Sequence, residues 1–599
     1  MDWNLPLVIP NFVAIDIETT GLNPWKGDRM FAAAATFPSG RKLFWRDDFG
    51  GLQELLEDPR VDKVFHNAKF DWRMLEFSSF KICGRIWDTM IFAHLLNGTQ
   101  FLNLEELAFR YLPPSRWKVV RELNQWFDEH GISKKERGKQ FTALPPGLLQ
   151  QRCEGDATAT ALLFMKFYPV VRKLFERLLI QEHRLLPIVK HMEDRGMLVN
   201  LEEVAIQRKY LSEVTENVID FCEGIIGHEG FQLRSHDDQE HLLACAGILD
   251  QITERTTKTG RPKLSEQTLR ELHHPVSHML LLGKKAEDLN SKFLHSIEQL
   301  HVNNVLHAQF NQLGTVTGRF SSSKPNLENQ PTEGGHLSSE EAEEAVELTS
   351  VDLVPHIKRC FCCRPGYAHL HSDKSKIEVL MLGHYTKDPT LLEVMRSGHD
   401  IHEEMSMRMF GEATPGLRVR AKITVFGFQY GVGDEGLAKK IRCTIQEARS
   451  YKERLRSLCP SIETFRRRLR SQLEAVGYVQ TDHGRRHYLS SAEAYMAVNR
   501  MCQGTAADEV KSCMVAIGEW FNQQYPDCSI LLNIHDDLGS EIPIDLLHEI
   551  APKYLELMTN TSIPFAIPLP ASLEYTTTRW SDLVEYELTK ETSNANGSH

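Results

Sequence analysis

Arg418-Val419-Arg420-Ala421-Lys422-Ile423-Thr424-Val425-Phe426-Gly427-Phe428-Gln429-Tyr430-Gly431 is the stretch on which the reading of this chain turns. Arg418, Lys422, Phe426 and Tyr430 recur every four residues. On a helix each such step turns about 400°, so the four drift by only about 40° per step and share one face. Two cations lead and two aromatic residues follow. The plain reading is an amphipathic helix whose bases snorkel to water. A buried stripe does not normally begin with Arg and Lys, however. The functional reading is a surface where cations grip a polyphosphate and rings stack on a base. Gly427, Gly431 and Gly433 keep the end of this stretch small and allow close approach or bending.

The charge around the stretch supports that reading. From Arg418 to Arg486 there are 16 Lys and Arg against 7 Asp and Glu, a local excess of +9. The whole chain of 599 residues carries 69 Lys and Arg against 81 Asp and Glu, net −12. A net acidic balance argues against a nucleic-acid partner only if the charge is evenly spread, and here it is not. Seven acids and no Lys or Arg fall between Glu333 and Asp352, which predicts an exposed acidic loop or short helix. The 41% hydrophobic and 25% charged composition excludes global disorder. The length suggests about three to five domains. Twelve irregularly spaced cysteines fit a reducing compartment better than a disulfide scaffold. No signal peptide and no apolar run of about 18 residues is visible, so no membrane partner is expected.

Before the helix, the chain alternates strand-like and helix-like patterns to about residue 178. Val13 to Ile17, Phe31 to Phe37 and Lys42 to Trp45 read as strands; Leu52 to Leu56 and Trp72 to Phe77 read as helical. This predicts an α/β domain. Phe164 to His301 is long and helical, and Gly196 suits a helix end. Strands are expected at Val305 to Gln312, Tyr367 to Ser372, Ile530 to Ile534 and Gly539 to Ile542, with a basic helical zone from Leu391 to Tyr478.

Carboxylates mark two sites. Asp16 and Glu18 stand at i and i+2, on one face of a strand. Asp71 opens a helical stretch, and Asp156 precedes the helical Ala157 to Phe167. Four acids on separate elements would hold two metals about 3.5–4 Å apart, a pair that activates water and stabilises a leaving alkoxide. In the second half, Tyr367 to Asp373 reads as a strand ending in an acid. Ile530 to Gly539 reads as strand, acidic turn and strand, with His535, Asp536 and Asp537 at the tip. Plain turn chemistry explains most Asp-Asp turns, but repulsion at a hairpin tip also invites a cation.

Together these residues resemble two known families. Asp16, Glu18, Asp71 and Asp156 match the four carboxylates of the DEDD 3′–5′ exonucleases. Asp373 to Glu378, Arg418 to Gly431 and His535-Asp536-Asp537 resemble motifs A, B and C of family A DNA polymerases. Thr317 to Ser322, Pro325 to Asn329, Asp400-Ile401-His402, Gly484-Arg485-Arg486 and Gln503 to Asp508 match as well, in the family's order. The resemblance implies an α/β exonuclease domain of the ribonuclease H-like kind. It also implies an α+β polymerase domain shaped as a right hand. The expected division is 1–175 exonuclease, 176–301 thumb, 302–395 first part of the palm, 396–490 fingers, 491–586 second part of the palm and 587–599 polar tail.

The resemblance also implies roles. Asp373 and Asp536 would hold two metals, Mg²⁺ with Mn²⁺ as a substitute, and Asp16, Glu18, Asp71 and Asp156 would hold two more. Arg418, Lys422 and His402 would contact the triphosphate. Phe426 would stack near the incoming sugar and base, and Tyr430 would lie near the template base. Glu378 would exclude a ribose 2′-OH. Arg319, Asn499 and Gln503 would read minor-groove acceptors, and His535 would lie near the primer terminus. The expected function is template-directed extension of a primer 3′-OH with dNTPs, plus 3′–5′ proofreading. The implied partners are primer-template DNA, dNTPs and replisome or processivity factors. The chain is expected to act as a monomer in the cytoplasm, or in a host's cytoplasm if it is a phage replicase.

The sequence departs from the family pattern at named positions. Arg152 stands where a water-orienting Tyr is usual, so a weakened exonuclease is the alternative reading. Lys374 and Lys376 replace a usual Tyr and Gln, Asp537 a usual Glu, and Tyr495 a frequent Arg. A single-subunit RNA polymerase and a non-catalytic DNA-binding relative are the rival readings. Glu378 argues against the first, and intact Asp373 and Asp536 against the second. Cys360, Cys362 and Cys363 lack paired metal-ligand spacing and read as strand packing.

Overall fold

A computed structural model describes residues 5–113, 117–256, 259–328, 357–441 and 443–587. The acidic run Glu333 to Asp352 and all but the first residue of the expected tail lie outside the described residues. The predicted strand at Val13 to Ile17 is the middle of β1, Phe12–Thr19. With β2 (Met30–Thr36), β3 (Lys42–Arg46), β4 (Asp62–Phe65) and β5 (Ile86–Asp88), it forms a sheet ordered β3-β2-β1-β4-β5. β1 runs antiparallel to β2 and parallel to β4.

Helix α1, Ala68–Phe77, follows β4. Helix α2 runs from Pro146 to Arg195, with a non-helical break at Phe175. Its first half lies on the sheet, where Ala34 of β2 packs with Cys153 and Ala157. Small residues on both surfaces permit this close approach. The second half enters a different core through Leu185, Ile188, Val189 and Met192. One helix therefore ties both halves of the chain together. Arg152 to Asp156 lie inside this helix, not ahead of it. Gly155 and the nearby Pro145-Pro146-Gly147 hide the helical period there, but Pro146 is in the first turn, where a missing N–H costs nothing.

The helical zone contains α3 (Leu201–Ile226) and α4 (Pro275–Asp288), which share that second core. Next comes β6, Tyr367–Asp373, the centre of an antiparallel sheet. Helices α5 (Ile377–Thr386), α6 (Ile401–Phe410) and α7 (Pro415–Gln429) follow, then α8 (Ile445–Leu458), α9 (Ser461–Val476) and α10 (Ala497–Gln524). Strands β7 (Ser529–Ile534), β8 (Asp537–Pro543), β9 (Glu574–Thr576) and β10 (Val584–Glu585) complete the sheet, ordered β7-β8-β6-β9-β10. Cys362 lies in a short strand paired with Leu198, consistent with a packing role. Among the described residues no helix is long and apolar enough to cross a membrane.

Candidate active sites

The first site is built on β1. Asp16 and Glu18 share one face by the two-residue strand period. Asp71 lies in the first turn of α1. Asp88, at the end of β5, fixes that turn: its carboxylate accepts the backbone N–H groups of Asn67 and Ala68, each at 2.9 Å. Burial pushes Asp88 up to about 6. Asp156 enters from α2 with Arg152 one turn before it. Arg152 Nε donates to Glu18 Oε1 at 2.8 Å, and its Nη2 lies 3.3 Å from Asp156 Oδ2. The same guanidinium lies 4.6 Å from the centre of the Phe141 ring.

Burial raises the Asp16 carboxyl well above its usual range, and Asp156, Glu18 and Asp71 add to the shift while Arg152 opposes it. Burial also raises Glu18 and Asp71. Four acids thus crowd one place against a single cation. An all-oxygen donor set of this kind fits a hard divalent ion. Among the described residues, no three His, Cys, Asp or Glu side chains are already gathered as a metal-binding group.

The second site is built on β6 and the β7–β8 turn. Asp373 ends β6 and stands in register opposite Asp537. Ser375 Oγ donates to Asp373 Oδ1 at 2.9 Å, and the Lys374 N–H donates to the Asp536 carbonyl at 3.1 Å. His535 takes a left-handed backbone, φ 55°, which turns the tip so tightly. Burial, with Glu378, Asp373 and Asp537 adding to it against Arg319, pushes Asp536 up to about 7. Burial likewise raises Asp373. Asp537 Oδ2 lies 3.0 Å from His371 Nδ1, so that carboxylate has a partner of its own.

Several predicted residues converge beside the acids. Glu378, from the first turn of α5, accepts hydrogen bonds from Arg319 and from the Tyr430 hydroxyl. Gln503 Nε2 lies 3.4 Å from Glu378 and 3.3 Å from the Tyr430 oxygen. Arg319 also lies 3.6 Å from Asp536. His535 lines the same small cavity as Arg319. Asn499 is on the first turn of α10, and its buried Oδ1 has no hydrogen-bond partner.

On α7, Thr414 caps the N-terminus and Pro415 occupies the first turn. Arg418 is bound to Asp400, Nε to Oδ1 at 3.1 Å and Nη2 to Oδ2 at 3.0 Å. Lys422 is exposed. The Phe426 and Tyr430 rings are nearly parallel, 19° apart, with centres 6.2 Å apart. His402 is buried, its ring centre 5.8 Å from that of Phe426 and its Nδ1 without a partner. Burial holds the His402 imidazole down at about 4, so it is neutral here, as a hydrogen-bonding group rather than a cation. Sequence reasoning had not singled out Asp88 or Asp400 as site residues. A helix-capping acid was the available signal for both.

A model described as DNA polymerase family A matches residues 202–582, more than half of the chain. The chain belongs to DNA polymerase family A. A 3′-5′ exonuclease model matches residues 4–126. Among curated relatives, DNA polymerase I of Chloroflexus aurantiacus is 27% identical over 605 residues, covering 94% of this chain and 60% of its own. That of Pseudomonas aeruginosa is 28% identical over 543 residues, covering 85% and 56%. The thermostable DNA polymerase I of Thermus aquaticus is 31% identical over 409 residues, covering 65% and 46%. The chain thus spans about half to three fifths of these relatives. A solved structure, the POL domain of Pol1 from M. smegmatis in complex with DNA primer-template and dNTP, has the same fold. Its TM-score is 0.76 at 22% identity, covering 96% of this chain and 97% of that one. The family read from the motifs is the family found.

Proposed function

We propose that this chain is a template-directed DNA polymerase with a 3′–5′ proofreading exonuclease upstream. The observation that carries the reading is the convergence of Arg319, Glu378, Tyr430 and Gln503 beside Asp536, with Asp373 on the strand paired with β8. The substrates are primer-template DNA and dNTPs. The division into exonuclease, thumb, palm and fingers follows the boundaries given above, with α7 as the fingers helix.

Asp373 and Asp536 would hold divalent ions, Mg²⁺ by preference, and Asp16, Glu18, Asp71 and Asp156 would do so in the exonuclease. Such ions, when bound, lower the pKa of an attacking hydroxyl or water and neutralise the leaving oxygen. The chain's own residues do the rest. Arg418 and Lys422 grip the triphosphate, and Phe426 presents a flat surface to the incoming base. Glu378 is held by Arg319 and Tyr430 where a ribose 2′-OH would have to fit, so dNTPs are selected by exclusion. Arg319 and Gln503 read minor-groove acceptors, and Arg152 holds the Glu18 and Asp156 carboxylates in place. We assign the work to the cytoplasm, by a monomer that meets replisome factors on DNA.

The test is extension of a labelled primer-template with Mg²⁺. Wild-type protein incorporates dNTPs; Asp373→Ala loses at least about a thousandfold in rate, the scale of removing a principal electrostatic group from a transition state. Asp16→Ala retains synthesis and loses 3′ trimming to a similar degree. Unchanged synthesis in the first variant, or unchanged trimming in the second, overturns the corresponding assignment. Efficient rNTP use by the wild type would overturn the role of Glu378.

A further inference from the structure

Lys376 is bound to the same carboxylate as Arg418. Its Nζ lies 2.7 Å from Asp400 Oδ2, the oxygen that Arg418 Nη2 also holds at 3.0 Å. The two nitrogens are therefore within about 6 Å of each other, since each is hydrogen-bonded to one atom. Asp400 is the N-cap of α6 and also accepts the backbone N–H groups of His402 and Glu403, each at 2.9 Å. Its lone pairs are thus shared among two cations and a helix terminus. Among the described residues Glu403 is a second acid in reach, 3.7 Å from Arg418 Nε. Lys422 follows Arg418 by one turn of α7, and Lys376, Arg418 and Lys422 all bear on the His402 ring. Three cations face two carboxylates there, and the positive end of α6 adds to the excess.

The backbone places Lys376 for use. It sits just ahead of α5 with φ 64°, a left-handed conformation that a non-glycine residue adopts only where the surroundings impose it. It is three residues beyond Asp373, so their Cα atoms are no more than about 11 Å apart. The Lys376 side chain keeps a third of its surface open to solvent. A charge of this kind, paired but exposed, exchanges partners at little cost.

We propose that Lys376 is a third cation of the polyphosphate site, beside Arg418 and Lys422, held on Asp400 until a nucleotide arrives. The ligand is the triphosphate tail of the dNTP, and the proposal rests on the polymerase reading above. A tail with several negative charges outcompetes a single, already shared carboxylate for the ammonium. Lys376 then acts on nucleotide affinity rather than on bond formation.

Steady-state primer extension by the full chain tests this, with inorganic pyrophosphate as a second probe that shares the tail but not the base. In Lys376→Gln, the KM for dNTP rises roughly tenfold, as does the pyrophosphate concentration needed for inhibition, while kcat stays within about twofold. Tenfold corresponds to about 1.4 kcal/mol, the low end for a charged hydrogen bond. Lys376→Arg keeps the charge and reach and returns both constants to near wild type. Unchanged KM and pyrophosphate inhibition in Lys376→Gln, a loss confined to kcat, or an arginine variant as impaired as the glutamine one would overturn the proposal. If the wild type incorporates no dNTP, the polymerase reading fails. If it does and Lys376→Gln matches it, the role of Lys376 alone fails.

Discussion

Asp400 does more than its place in the chain suggests. It caps α6, fixes Arg418 through two bonds and holds Lys376 through a third. Burial opposes its ionisation, but Arg418, Lys376 and the backbone N–H groups keep its carboxyl well below the usual range. Asp400→Asn should preserve the cap, because Asn is as good an N-cap as Asp. It should also free both cations. Because the carboxylate competes with the triphosphate for both, the expected outcome is a rise of roughly threefold in kcat/KM for dNTP with little change in the melting midpoint, measured by primer extension and by thermal unfolding. A large fall in the midpoint with normal kcat/KM would show that the residue serves only the fold. The sequence displayed Asp400 beside His402, yet not its partners. Lys376 and Arg418 are 24 and 18 residues away, and only the packing of α5, α6 and α7 brings them to one oxygen. Glu378 was legible as a candidate site residue, whereas its bonds to Arg319 and Tyr430 were not, for the same reason.

At the scale of the element, the four-residue stripe on α7 was readable because helical period and residue chemistry agree. Its termination was readable too. Gly431 has φ 72°, and a Cβ there would stand 2.9 Å from the Tyr495 carbonyl oxygen. Gly431→Ala therefore meets both a backbone penalty and a collision with another segment. A loss of about 1–3 kcal/mol is expected from the strained backbone alone, read as a shift in the denaturant midpoint. The dNTP KM should also rise, since Tyr430 is the adjacent residue. Gly433 makes the control: a Cβ meets nothing within 4 Å there, and its φ is ordinary. Gly433→Ala should stay within about 0.5 kcal/mol of wild type. Equal effects at both positions would mean that Gly431 is not the constrained one. Helix α2 was harder to read, because Gly155 and two prolines interrupt its pattern while sheet packing and the second core carry it from both sides.

At the scale of the molecule, one buried ionic cluster joins segments far apart in sequence. Glu182 of α2 meets Arg485 at 2.8 Å and Lys511 of α10 at 2.7 Å, and Gln312 donates to its other oxygen at 2.9 Å. Arg485 in turn meets Asp508 at 2.6 Å. Nothing in the sequence sets Glu182 apart from the many acids on exposed helix faces, because its partners lie some 130 to 330 residues downstream. Burial alone would raise its carboxyl, but Lys511 and Arg485 outweigh burial and hold it at about 2. The usual value is 4.5, so the folded state binds its proton less readily than the unfolded chain does. The resulting stability is fully present above about pH 4.5 and is lost as pH falls toward 2, on the order of 3 kcal/mol in all. Glu182→Gln removes the charge and leaves Lys511 short of a counterion, so at pH 7 it should cost about 3–5 kcal/mol. The two proteins should then converge as the pH is lowered through that window, followed by unfolding in denaturant at each pH. Stability curves that stay parallel from pH 7 to pH 3 would show that Glu182 is not the group whose ionisation holds the two halves of the chain together.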